Sequence, residues 1–187
     1  STLFPYTTLF RSKRFYGEAE MDKAGAEIAA ITHKHPLGFL PAAMLTHLLF
    51  QIIQKNEKVV RASIADMVLD STHALLNFGN YRRETAYLSK LTREAVVLAL
   101  NDESDAENIR RLGEGWTGEE AWAIAVYCVV RHVDNIEEAI LAAVNHDGDS
   151  DSTGAICGNI MGAIYGYEVI KRLNLCCPRG MDLEQTL

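Results

Sequence analysis

Residues 145–166 read NHDGDSDSTGAICGNIMGAIYG. Asp147, Asp149 and Asp151 fall at every second position, with Ser150, Ser152 and Thr153 among them. Carboxylates this close repel one another unless a cation neutralises them or water screens them. Asp and Ser oxygens are hard donors, suited to magnesium, calcium or manganese better than to zinc. A calcium loop of the EF-hand type does not fit. Starting it at Asp147 puts Ser152 at the turn-glycine position and Gly158 at the bidentate-Glu position; starting it at Asp149 supplies Gly154 but puts Ile160 where the Glu belongs. A plain helix cap needs a single such side chain, Asp151 or Ser152, to meet the free backbone N–H groups. From spacing alone, a cation site and a solvated acidic cap both stand.

The pattern turns helical at Thr153 and continues to about Leu173. Gly154, Gly158, Gly162 and Gly166 recur every fourth residue and form one stripe. Each interior glycine costs about 0.5–1 kcal/mol relative to alanine, so a stripe implies close approach of another helix or of a ligand. Upstream, apolar residues keep recurring at three and four. They predict helices from Glu18 to the break at Thr32–Pro36, from about Pro41 to Lys55, Val60 to Leu76 and Arg83 to Leu100. Further helices are a short one ending at Gly113, one from Thr117 to about His132, and one from about Asn135 to Val144. No stretch alternates like a strand, and no linker divides the chain. The expected fold is all-α, one compact multi-helix bundle.

The net charge of −7 over 187 residues, without a basic stripe, argues against nucleic acid and an anionic membrane surface as partners. It leaves room for an anionic ligand, because helix ends or bound cations can make a site locally positive. No uninterrupted apolar run reaches the length of a membrane span. Cys128, Cys157, Cys176 and Cys177 have neither a zinc spacing nor a disulfide framework; free thiols in the cytoplasm are the expectation. Residues 1–17 begin apolar, with the positive charges following instead of preceding, the wrong order for a signal peptide. They are expected to be a leader outside the fold.

Asn145–Gly166 resembles the C-terminal segment of the ADP-ribosylglycohydrolases, whose usual core is Gly-Asp-Thr/Ser-Asp-Thr/Ser before a glycine-rich helix. Ile31–Leu40 (ITHKHPLGFL) and Leu112–Tyr127 (LGEGWTGEEAWAIAVY) are similar to the same family, in the same order. The resemblance covers about Met21 to Ile170. It implies an all-helical bundle with two magnesium ions at its centre, manganese being an alternative. Asp149, Asp151 and the Ser152 hydroxyl would be metal ligands, and His33 and Trp116 would contact the substrate. The implied reaction is metal-dependent hydrolysis of the glycosidic bond between ADP-ribose and a modified protein side chain.

Other readings of these residues stand beside that one. His33 and His35 also read as polar helix-end residues, Trp116 as a packing anchor, and His146 and Asp147 as tuning groups or merely solvated ones. His47, His73 and His132 read as structural. Glu119, Glu120, Glu137 and Glu138 read as solvated helix faces. The chain lacks the family's Gly-Asp helix with its acidic catalytic residue and its Thr-Asp-Asp-Thr cluster, which would supply the other ligands. The expectation is therefore a bundle of the ADP-ribosylglycohydrolase type with its N-terminal part missing: a domain over residues 18–173, a divergent tail over 174–187, and half of the dinuclear site. Self-association through exposed apolar surface is expected of it. The alternative is a catalytically inactive helical module that binds an ADP-ribose-like ligand or a protein partner.

Overall fold

The computed structural model describes residues 17–55, 59–167 and 169. The expected leader lies outside the described residues except for Gly17. So do the tail, Cys176 and Cys177. Eight α-helices and one 3-10 helix follow one another, with no strand among the described residues: α1 (Glu18–Ala30), α2 (Pro36–Gln54), α3 (Arg61–Asp70), the 3-10 helix (Ser71–Phe78), α4 (Arg82–Ala99), α5 (Asp105–Leu112), α6 (Gly118–Arg131), α7 (Ile136–Val144) and α8 (Ser150–Tyr165).

Helix α6 is the centre of the bundle. Every residue from Ala121 to Val130 is buried, and α4 and α8 pack against it most extensively. Trp122 is fully enclosed, and its indole N–H donates to the Thr92 hydroxyl of α4 at 3.0 Å. That bond removes the cost of burying a polar N–H. Cys128 and Cys157 sit in the same core. Burial pushes both thiols up, Cys157 to about 12.

Helix α2 starts five residues before the expected Pro41. Pro36 occupies its first turn, where the missing N–H costs nothing and the fixed φ is already helical. His35 caps it, its Nδ1 accepting the Leu37 N–H at 3.3 Å. Pro41 then lies inside the helix and leaves the Leu37 carbonyl without its usual donor. That carbonyl faces Gly118 at the start of α6, where a Cβ would come within 2.7 Å of it. A run-by-run count also understates α2: at 19 residues it is long and apolar enough to cross a membrane by composition. In this bundle 61% of its apolar window is buried against other helices, so the same residues form the core.

The single helix expected over Val60–Leu76 divides at Ser71. The Ser71 and Thr72 hydroxyls donate back to the Val68 and Leu69 carbonyls at 2.6 and 2.7 Å, and the chain tightens into the 3-10 form. Helix α8 breaks after Tyr165, because Gly166 takes φ 76° and cannot continue it; Tyr167 and Val169 are helical again, and the expected end near Leu173 lies outside the described residues. The glycine stripe therefore has two uses. At Gly154 a Cβ would lie 2.6 Å from Val144, so α7 closes directly on α8; Gly166 is the stop.

Candidate functional site

The N-termini of α2, α6 and α8 open onto one cleft of about 560 Å³. His33, Trp116, Asp149 and Ser152 line it together, although up to 119 positions separate them, from 33 to 152. Asp151 lies one residue outside that lining and is exposed. His35, at the cap of α2, lines it too. Neither Thr117 nor Asp149, the cap residues of α6 and α8, bonds its own helix through its side chain. The first-turn N–H groups of both helices therefore keep their capacity for an anion.

The loop carrying Trp116 is shaped by Glu120, which the sequence reading assigned to a solvated face. Its Oε2 accepts the Gly115 N–H at 3.1 Å and the Glu114 N–H at 3.3 Å. The signal was present as Thr117-x-x-Glu120, the spacing of a capping box. Here the Glu reaches past the cap residue to the loop before it. Gly113 and Gly115 take φ 128° and 82°, which an L side chain rarely adopts. Trp116 is 68% exposed, too open for a packing anchor, and its indole N–H donates to Glu114 Oε2 at 3.1 Å. His33 is exposed with its Nδ1 on the Thr32 hydroxyl at 2.8 Å, and its Nε2 has no partner among the described residues.

A second loop, residues 145–149, closes on the first. The Asp149 N–H donates to the Glu114 carbonyl at 2.8 Å. Gly148 packs so closely that a Cβ there would overlap the same carbonyl oxygen. Asp149, Asp151 and Ser152 follow at the start of α8. The Ser152 hydroxyl donates to Asp151 Oδ1 at 3.3 Å. The Asp149 carboxyl is held below the usual carboxylate range, chiefly by the Ser152 hydroxyl beside it. No Lys, Arg or His forms an ion pair with either acid among the described residues. Nor do three His, Cys, Asp or Glu side chains converge there as a complete metal-binding group. Two open carboxylates and a hydroxyl are the donor chemistry a hard divalent ion takes, in part of the number it needs.

Two other acids of the bundle, Asp22 and Asp105, are matched internally. Asp22 pairs with His47 at 3.1 Å, and Asp105 with His132 at 2.9 Å and Arg131 at 3.1 Å. Asp105 also accepts the Tyr127 hydroxyl at 2.6 Å, and burial and that carboxylate push the phenol well up.

Residues 7–184 match the ADP-ribosylglycohydrolase family. The ADP-ribosylhydrolase ARH3 of Mus musculus is 24% identical, the match covering 76% of this chain and 43% of that protein. ARH3 of Homo sapiens is also 24% identical, covering 76% and 44%. The ADP-ribosylhydrolase ARH1 of Dictyostelium discoideum is 40% identical over a shorter stretch, 32% of this chain and 16% of that protein. The chain thus spans less than half the length of these relatives. No solved structure matches it. Over nearly its whole length, then, the sequence that folds into this cleft belongs to the ADP-ribosylglycohydrolase family.

Proposed function

We propose that the chain supplies the C-terminal half of the metal site of an enzyme that hydrolyses the glycosidic bond between ADP-ribose and a modified protein side chain. The observation that carries this is the meeting of His33, Trp116, Asp149 and Ser152 on one cleft. Asp149, Asp151 and Ser152 would hold magnesium, with manganese suited to the same oxygens. The bound cation would polarise the substrate, orient its ribose hydroxyls and make a water more acidic. The N-termini of α6 and α8 would receive the diphosphate, which explains how a chain of net charge −7 accepts an anion. The exposed Trp116 ring offers a flat apolar face, and the unpartnered Nε2 of His33 offers a polar contact.

The second reading is a helical module that binds an ADP-ribose-like ligand without turning it over. The absence of three converging metal-ligating side chains among the described residues favours it for this chain alone. The domain would run over residues 18–173, in the cytoplasm, a compartment that keeps free thiols such as Cys128 and Cys157 reduced. Leu76, 80% exposed, and Ile31, 77% exposed, are the widest apolar openings for self-association.

Calorimetric titration of the chain with magnesium and ADP-ribose, beside Asp149→Ala/Asp151→Ala, tests the proposal. Heat of binding in the wild type that the variant loses supports it. Equal binding in both proteins removes these acids from the site, and no binding in either sinks the reading for this chain. Release of free ADP-ribose from an ADP-ribosylated protein separates hydrolysis from binding alone.

A further inference from the structure

We propose that His146 is a positioning residue that sets where the acids at the start of α8 stand, an inference that rests on the metal reading of Asp149 and Asp151. The half-buried His146 side chain is bonded at both ring nitrogens. Its Nδ1 accepts the Gly148 N–H at 3.1 Å, and its Nε2 lies 2.9 Å from the Thr153 hydroxyl. Accepting an N–H at Nδ1 leaves a ring proton on Nε2, which donates to the Thr153 hydroxyl.

Thr153 is fully buried and anchored in turn. Its hydroxyl donates to the Ala143 carbonyl of α7 at 2.6 Å and lies 3.1 Å from the Asp149 carbonyl. One ring therefore joins the end of α7, the glycine of the acid loop and the first turn of α8. The loop's two ends are tied to the helices without it, Asn145 through its side-chain amide on the Leu141 carbonyl at 2.9 Å and Asp149 through its carbonyl beside the Thr153 hydroxyl. Between them, Gly148 is otherwise held only by its close seat on the Glu114 carbonyl, a contact to another loop. His146 is the link from the frame to Gly148, one residue before Asp149. The neighbouring Asp147 is exposed and makes no hydrogen bond among the described residues, so the two residues between Asn145 and Gly148 differ sharply in role.

His146→Ala, His146→Asn and His146→Gln separate the two ring contacts. The Asn oxygen falls near the place of Nδ1 and can accept the N–H two residues on. Gln instead reaches toward the place of Nε2 and Thr153. Amide exchange at Gly148 and Asp149 reads the loop, and magnesium titration reads the site, both on the whole chain. In His146→Ala, exchange at the two amides is expected to rise about tenfold, the loss of one hydrogen bond. Magnesium affinity is expected to fall about tenfold or more, as when a group that orients a ligand is removed. Asn should recover most of both and Gln little of either, at unchanged thermal stability, which a general packing role would not produce. Unchanged exchange in His146→Ala overturns the proposal, as does faster exchange at unaltered magnesium affinity. A wild type that binds no magnesium sinks the metal reading instead. The exchange arm then decides by itself: protection lost in Ala and kept in Asn upholds the tie, and equal protection in all the variants removes it.

Discussion

Two acidic clusters of this molecule use the same residue types in opposite ways. At one, Asp22 and His47 are 2% and 4% exposed, and their side chains meet at 3.1 Å. Glu18 and Asp70 lie within 3.4 and 3.6 Å of the other ring nitrogen, His73 pairs with Asp70, and Gln51 and Asn77 add amide hydrogen bonds. At the other, Asp149 and Asp151 have each other, a serine hydroxyl and solvent. The first cluster carries its own basic side chains, His47 and His73, and joins α1, α2, α3 and the 3-10 helix. The second has the carboxylates without a basic partner. An acid already matched inside the bundle has no capacity left for a ligand, whereas an unmatched pair at a cleft mouth has.

The largest effect belongs to the closed cluster. His47→Ala leaves the Asp22 carboxylate buried without its cation, which should cost about 3–5 kcal/mol of folding stability, read by urea denaturation. The pH dependence has a fixed sign. Burial by itself lowers the His47 pKa, but the hydrogen bond and charge of Asp22, with Glu18 and Asp70, outweigh it and hold the ring above its ordinary 6.5. His73 and Gln51 are the other groups facing this cluster. The folded pKa is the raised one, so the stabilisation is complete below the ordinary value and is lost as pH climbs through the folded one. The stability difference between wild type and His47→Ala should therefore shrink as the pH is raised from about 6 toward 9. A difference that grows over that range reverses the assignment.

A smaller effect is expected where the open cluster is held in place. A Cβ at Gly148 overlaps the Glu114 carbonyl oxygen, which is backbone on both sides and has no side chain to swing away. Gly148→Ala should cost about 1–3 kcal/mol, the usual range for forced overpacking. It should also separate the Trp116 loop from Asp149 by breaking the 2.8 Å bond between Asp149 N–H and the Glu114 carbonyl. Gly79, with nothing near its would-be Cβ, is the control: Gly79→Ala should leave both stability and ligand binding near the wild type. Equal behaviour of the two variants would show that the loops are not locked together.

The sequence made the helices legible because their apolar periods are long and their stops are chemical: Gly113 after Leu112, Asn135 capping α7, Thr117 before α6. It misplaced the start of α2, since two prolines five residues apart each mark a helix start and only packing decides between them. The break at Ser71 was hidden because the hydroxyl bonds back to carbonyls leave no trace in hydrophobic period. At the site, the acidic stretch was visible as a motif, but its meeting with His33 and Trp116 is tertiary. Glu120 was misread for the same reason: a helix-face position says nothing of a loop folding back onto it. The two clusters could not be separated at all from the sequence, because Asp22 and His47 are 25 positions apart.

The smallest effect on folding is the most informative about function. Asp149 and Asp151 bond no helix N–H as caps and pair with no cation among the described residues, so Asp149→Ala/Asp151→Ala removes repulsion along with two solvated charges. Its stability in a chelating buffer should lie within about 0.5 kcal/mol of the wild type, the usual range for surface changes. Some of that is offset by losing acids near the positive end of α8. Added magnesium should then divide the two proteins. A ligand that binds only the folded form raises stability by about 2.7 kcal/mol at a hundred times its Kd, so the wild-type melting temperature should climb with magnesium while that of the variant stays flat. If the variant is instead destabilised without magnesium, by as much as His47→Ala, the open cluster is a structural element like the closed one. The contrast between the two would then be one of exposure, not of use.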